Sequence, residues 1–142
     1  MHLRFYQSGD YSQITDPVEP AVPNIPFSEA SLAVDIHPVA LTLTSGGIPI
    51  ACGGVIVSED GTGGEVWLRV SAQCAQRYPI VLLRTLKAGK AILADEFGFR
   101  WLSARIQRNF AAGRRLAERF GFRKVRDDNE AFEVYQCHLE HL

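Results

Sequence analysis

The chain has 142 residues, 46% hydrophobic and 22% charged, with a formal net charge of -1. That length suits one domain around one core, and that balance excludes a disordered chain. Apolar runs fall short of the roughly eighteen residues of a membrane span, the opening "MHLRFYQSGDYSQ" is not expected to act as a secretory signal, and the spacing of Cys52, Cys74 and Cys137 fits neither a disulfide framework nor a zinc site.

The alternating segment "HLRFY" predicts a first strand, and "SGDYSQITDP" offers Ser8 or Asp10 as the cap of a short helix that stops at Pro17. Four prolines in residues 17–26 exclude helix interior and central strand, so residues 17–36 are expected to form an extended arm, with at most a short helix at "SEAS". "PVALTLTSGGIPIACGGVIV" reads as a hairpin turning at Ser45-Gly46-Gly47, with a bulge or a close backbone approach at Gly53-Gly54. "EVWLRVS" completes a three-strand meander. "SAQCAQRY" reads as a polar connection, and a helix opens at Pro79, the first helical position.

In that helix Leu82, Leu86, Gly89 and Leu93 fall on one stripe, which predicts a core face shared with Trp67, Trp101, Leu116 and Phe120. "FRWLSARI" is a further strand. "NFAAGRRLAERFGF" is a helix from near Asn109 to Gly121, and "FRKVRD" and "AFEVYQCHL" are two closing strands with a turn at residues 127–129. The order predicts a mixed α/β fold of the α+β type, in one domain over residues 1–142.

Charge is unevenly spread. Residues 1–65 hold one Lys or Arg (Arg4) against eight acids, residues 66–126 hold fourteen against three, and the remainder holds five acids and neither cation. A solvated helix surface normally mixes both signs, so the cationic middle predicts a face for an anion. Nucleic acid is the disfavoured occupant, because no helix-turn-helix or aromatic stacking motif accompanies the charge. A strand, a connection and a helix start at residues 65–79 would place a phosphate cradle there. The connection has no glycine, Pro79 removes an N–H donor, and Arg77 is its one cation. Cys74 has no histidine near it in sequence, which makes it an unactivated thiol. His138 and His141 are two ligands and do not make a metal site. The reduced cysteines point to a cytoplasmic protein.

The residues "NFAAGRRLAERFGFRKV", with the hairpin "GIPIACGGVIV", resemble the GNAT (Gcn5-related N-acetyltransferase) superfamily over about residues 37–126. Asn109, Gly113-Arg114-Arg115, Glu118-Arg119-Phe120 and Gly121-Phe122 are similar to the pattern of the subgroup that acetylates protein N-termini. A narrower resemblance, on "GDY", "LTLTSGGIPIACGG" and "SAQ", is to the GNAT-like small internal virion protein of short-tailed phages.

The resemblance implies a central mixed, mainly antiparallel sheet flanked by helices, with acetyl-CoA as cofactor and an amine as acceptor. It implies pantetheine pairing along the backbone of Leu68, Arg69 and Val70, a backbone N–H there polarising the thioester carbonyl, and further cofactor contacts at Gln76, Arg77, Tyr78 and Asn109. The pattern's glycine loop is missing, and its general-acid tyrosine falls at Ala117. Tyr78 and Tyr135 are the substitutes, and Glu65 and Glu133 are the carboxylates in reach of a base role, each expected at the surface. Two functions follow: an acetyl-CoA-dependent N-acetyltransferase with a degenerate pyrophosphate loop, or a catalytically inactive GNAT-like structural or binding protein of phage or prophage origin, then virion-associated.

Overall fold

The structure is a computed structural model that describes residues 1–18 and 39–139. Its elements are β1 (His2–Phe5), α1 (Asp10–Gln13), β2 (Val39–Ser45), β3 (Ile48–Val57), β4 (Gly63–Val70), α2 (Ala72–Arg77), α3 (Pro79–Asp95), β5 (Trp101–Gln107), α4 (Ala111–Arg119), β6 (Arg123–Asp127) and β7 (Phe132–His138). They form a seven-stranded sheet in the order β1-β2-β3-β4-β5-β7-β6, mainly antiparallel with a parallel β4–β5 pairing. The expected proline-rich arm, apart from Pro17 and Val18, and the "SEAS" helix lie outside the described residues. The chain divides into two compact units, residues 1–56 with 67–79 and residues 57–66 with 80–142.

In the first unit, Gly46 and Gly47 take φ of 59° and 80°, the left-handed pair a two-residue hairpin turn needs. The register break of β2–β3 falls between Leu43 and Thr44, not at the glycine pair. Gly53 and Gly54 instead mark a close approach: a Cβ on Gly54 would lie against the Val39 carbonyl and 2.6 Å from the Ala40 Cβ. Gly54→Ala should therefore cost about 1–3 kcal/mol, the range for overpacking a tight site. A urea midpoint unchanged by this substitution would show that β2 yields freely.

In the second unit, β7 pairs with β5 from Trp101↔His138 to Gln107↔Phe132 and with β6 on its other side. All five residues of β6 are exposed, and four of them are charged, which protects a short edge strand from further pairing.

The core is built mostly by strands. Leu43, Ile50, Ala51, Cys52, Val55 and Val70 are buried in the first unit, joined by Ile14 and Cys74; Phe99, Leu102, Phe122, Phe132, Val134 and Tyr135 are buried in the second. The expected helix face is not at its centre. Leu82, Leu86, Leu93, Trp67, Trp101, Leu116 and Phe120 are half-buried, and α3 contributes no buried residue. The physical reason is that apolar residues run around α3 instead of along one seam: Ile80 is 64% exposed, and Val81 and Ile92 are exposed as well.

The polar connection "SAQCAQRY" is also corrected. It folds as α2, whose first turn is capped by Ser71: the Cys74 N–H donates to Ser71 Oγ at 3.0 Å. Cys74 itself is fully buried and anchors the turn.

Candidate functional site

The first unit holds the residues expected along the cofactor edge, Leu68, Arg69 and Val70, with Gln76, Arg77 and Tyr78. The Ser71 N–H donates to the Ile50 carbonyl at 2.9 Å, so Ser71 faces β3. Polar backbone groups alternate between the two edges of a strand. Trp67 and Arg69 therefore also face β3, while Leu68 and Val70 face the opposite edge. Among the described residues, β4–β5 pairing covers only Gly63, Gly64 and Glu65. Part of the edge beyond is occupied by this chain. The Val18 N–H donates to the Val70 carbonyl at 2.9 Å, the Ala72 N–H donates to the Asp16 carbonyl at 2.8 Å, and Pro17 bridges to Ser71.

Arg69 is displaced from its expected role. Its backbone faces β3, its side chain is buried, and its guanidinium donates to the Ile14 carbonyl at 3.0 and 2.7 Å while lying 4.5 Å from the centre of the Tyr11 ring. It ties α1 to the sheet.

In α2 most backbone donors are spent internally. The Cys74 N–H goes to Ser71 Oγ, Ala75 N–H to the Ser71 carbonyl, and Tyr78 N–H to the Cys74 carbonyl. Gln76 and Arg77 are exposed, and Arg77 has no hydrogen-bond or ion-pair partner among the described residues. Tyr78 is half-buried where α2 ends. Burial pushes the Cys74 thiol up, which suits a packing thiol and not a nucleophile.

The second unit holds the remaining candidates. Glu65 is partly exposed, 3.9 Å from Arg105, which also reaches Asp128 at 3.4 Å. Asn109 is exposed in the turn before α4, whose N-cap is Phe110. Tyr135 is 3% exposed; burial, then the Glu133 charge, holds its phenol above the ordinary range.

Glu133, expected at the surface, is instead buried. Its Oε2 lies 2.6 Å from Lys124 Nζ, and its Oε1 lies 3.9 Å from Arg114. Glu133 Oε1 and Arg114 Nε are both buried without a hydrogen-bond partner. Alternation along "AFEVYQCHL" did not reveal this, because β7 buries four successive residues, Phe132–Tyr135, on both of its faces.

No protein-family model and no curated protein sequence matches the chain. Solved structures do. Ard1 from Thermoplasma volcanium superposes with a TM-score of 0.76 at 11% identity, covering 99% of this chain and 98% of that one. The ribosomal-protein-S18-alanine N-acetyltransferase from Escherichia coli gives 0.68 at 18% identity, covering 99% and 95%. YncA from Salmonella typhimurium, described as a putative acetyltransferase with its cofactor acetyl-CoA, gives 0.68 at 16% identity, covering 100% and 95%. The chain has the GNAT fold. At the positions where the resemblance expects the glycine loop and the general-acid tyrosine, this chain has α2 and the half-buried Ala117 of α4.

Proposed function

We propose that the protein is an N-acyltransferase that takes its acyl group from acetyl-CoA, in a single domain whose pyrophosphate loop is degenerate. The observation that carries this reading is the outer edge of β4, where the backbone of Leu68 faces away from β3, beyond the residues that pair with β5. An extended pantetheine adds to such an edge as a strand does. Bound there, the thioester would supply the acyl group, its C–S bond breaking as a C–N bond to the amine forms.

The Leu68 N–H and C=O would hold and polarise the cofactor's amide and thioester groups. Arg77 would meet the pyrophosphate. Asn109 is proposed as a further cofactor contact, with Gln76 and Tyr78 beside Arg77. Of the carboxylates, Glu65 is the one we propose to relay a proton from the amine, since Glu133 is committed to Lys124. Tyr135 is protonated at neutral pH, the state a general acid requires, and Tyr78 is the alternative donor.

A second reading is favoured by a specific observation: the Val70 carbonyl already accepts from Val18, and Ala72 already donates to Asp16. That self-pairing suits a GNAT-fold binding protein without catalysis, the phage or prophage component of the narrower resemblance.

Titration calorimetry with acetyl-CoA separates the two. Binding should be no tighter than about 100 μM, near -5.5 kcal/mol, and weaker as salt rises. Arg77→Ala should remove most of the signal. Val18→Pro, which deletes the donor to Val70, should tighten binding at least threefold. Low-micromolar binding unchanged by Arg77→Ala would overturn the degenerate-loop reading. No heat from either the wild type or Val18→Pro would favour the second reading.

A further inference from the structure

The second unit contains a cleft of about 830 Å³ that none of the proposed cofactor residues lines. Its walls are one stripe of α3 (Leu83, Lys87, Lys90 and Ala94, with Arg84 and Ala91), the C-terminal end of α4 (Arg119, Phe120 and Gly121) and the end of β7 (His138 and Leu139). The cleft exists because small residues face it: Ala91 and Ala94 on the helix and Gly121 after α4 leave the space unfilled. His138 pairs with Trp101, the first residue of β5, whereas Asn109 follows the last. The cleft therefore lies at the opposite end of β5 from Asn109.

Its lining carries Arg84, Lys87, Lys90, Arg119 and His138 and no acid. Two of these have local reasons to be there. Lys90 Nζ donates to the Phe120 carbonyl at 2.6 Å, and Arg119 sits in the last turn of α4, both favourable at a helix C-terminus. Arg84 and Lys87 have no such reason. They are exposed, they lie three residues apart, and neither has an ion-pair or hydrogen-bond partner among the described residues. Like charges at that spacing repel, and α3 has no acid before its last residue, Asp95, to offset them.

Five other cations of the chain's basic middle behave differently. Arg105, Arg108, Arg114, Lys124 and Arg126 all lie within ion-pair distance of Glu65, Asp127, Asp128 or Glu133. Of the cations without an ion pair among the described residues, Arg84, Lys87, Lys90 and Arg119 gather around one concave surface that Leu83, Phe120 and Leu139 also line, whereas Arg77, Arg100, Arg115 and Arg123 lie outside it. A cleft of this size is that of a small-molecule site. We propose that this cleft binds a small organic anion, an apolar body carrying a carboxylate or phosphate, with Arg84, Lys87 and Arg119 around the charged group.

Decanoate is the probe, followed by amide chemical shifts of the intact protein, with decanol and inorganic phosphate as comparison ligands. Decanoate should produce saturable shifts at Leu83, Lys87, Ala91 and Gly121, and both comparison ligands should bind at least tenfold more weakly, because each supplies half of the complementarity. The Lys87→Glu/Arg119→Glu double variant, altered only at exposed positions, should lose at least tenfold. Raising salt on the wild type should weaken decanoate without any substitution. Equal binding of decanol, shifts confined to other residues, or decanoate binding indifferent both to salt and to the double variant would each overturn the proposal. Acetyl-CoA binding is read separately, and its absence leaves these outcomes intact.

Discussion

Asp10→Ala should destabilise the protein by about 3 kcal/mol, the low end of the range for breaking a buried ion pair. Asp10 is 2% exposed, and its carboxylate accepts from Arg4 at 2.7 and 2.9 Å, from the Gln7 N–H at 2.8 Å and from the Thr42 hydroxyl at 2.7 Å. These bonds fasten β1, α1 and β2 to one another. Alanine leaves the fully buried Thr42 hydroxyl and the Gln7 N–H without their acceptor. The cost stays at the low end because the partly exposed Arg4 side chain can turn to water. A change in urea midpoint equivalent to under about 0.5 kcal/mol, the scale of ordinary surface substitutions, would show that the cluster carries no net stability.

The same carboxylate sets a pH dependence. Burial raises its pKa, but the bonds from Arg4, Gln7 and Thr42 outweigh that, so the native pKa lies below the ordinary aspartate value. The stabilisation is fully present above the unfolded value and is lost as pH falls through the lower native one. Asp10→Asn should flatten the wild type's acid-side loss of stability while leaving the alkaline side unchanged.

Asp10 also illustrates what local reading can and cannot reach. Its neighbourhood was legible as a short helix, and a cap was the natural role for an Asp after a glycine. The cap residue is Gly9, and the Asp10 side chain reaches Thr42, thirty-two positions away. Periods of two and turn chemistry located nearly every strand, because alternation and the Gly46-Gly47 pair act over a few residues. Long-range ion pairing was not legible. The antiparallel return of β7 and its turn brings Asp127, Asp128 and Glu133 alongside cations of β5, α4 and β6, so a basic segment counted along the chain is partly neutral in space. At the candidate site, the missing glycines were plain from sequence. That "SAQCAQR" is a capped helix, and that Asp16–Val18 lies along the β4 edge, depend on contacts with Ile50, Val70 and Ala72 that no spacing rule supplies.

Leu102→Ala should cost about 2–5 kcal/mol, whereas Leu86→Ala should cost about 1 kcal/mol, reversing the order expected from helical periodicity. Leu102 is 2% exposed, the second residue of β5, between Gly64 of β4 and Cys137 of β7. Truncating it removes apolar contacts and leaves a cavity, because hydrogen-bonded strands on both sides resist collapse. Leu86 is half-buried on a helix that contributes nothing to the fully buried core, so truncation there forfeits part of one side chain's burial and water can fill the space. Paired urea titrations with matched m-values measure the difference. Equal costs would mean that α3 packs as tightly as the strands, and the weight of the fold would have to be moved back from the sheet to the helix.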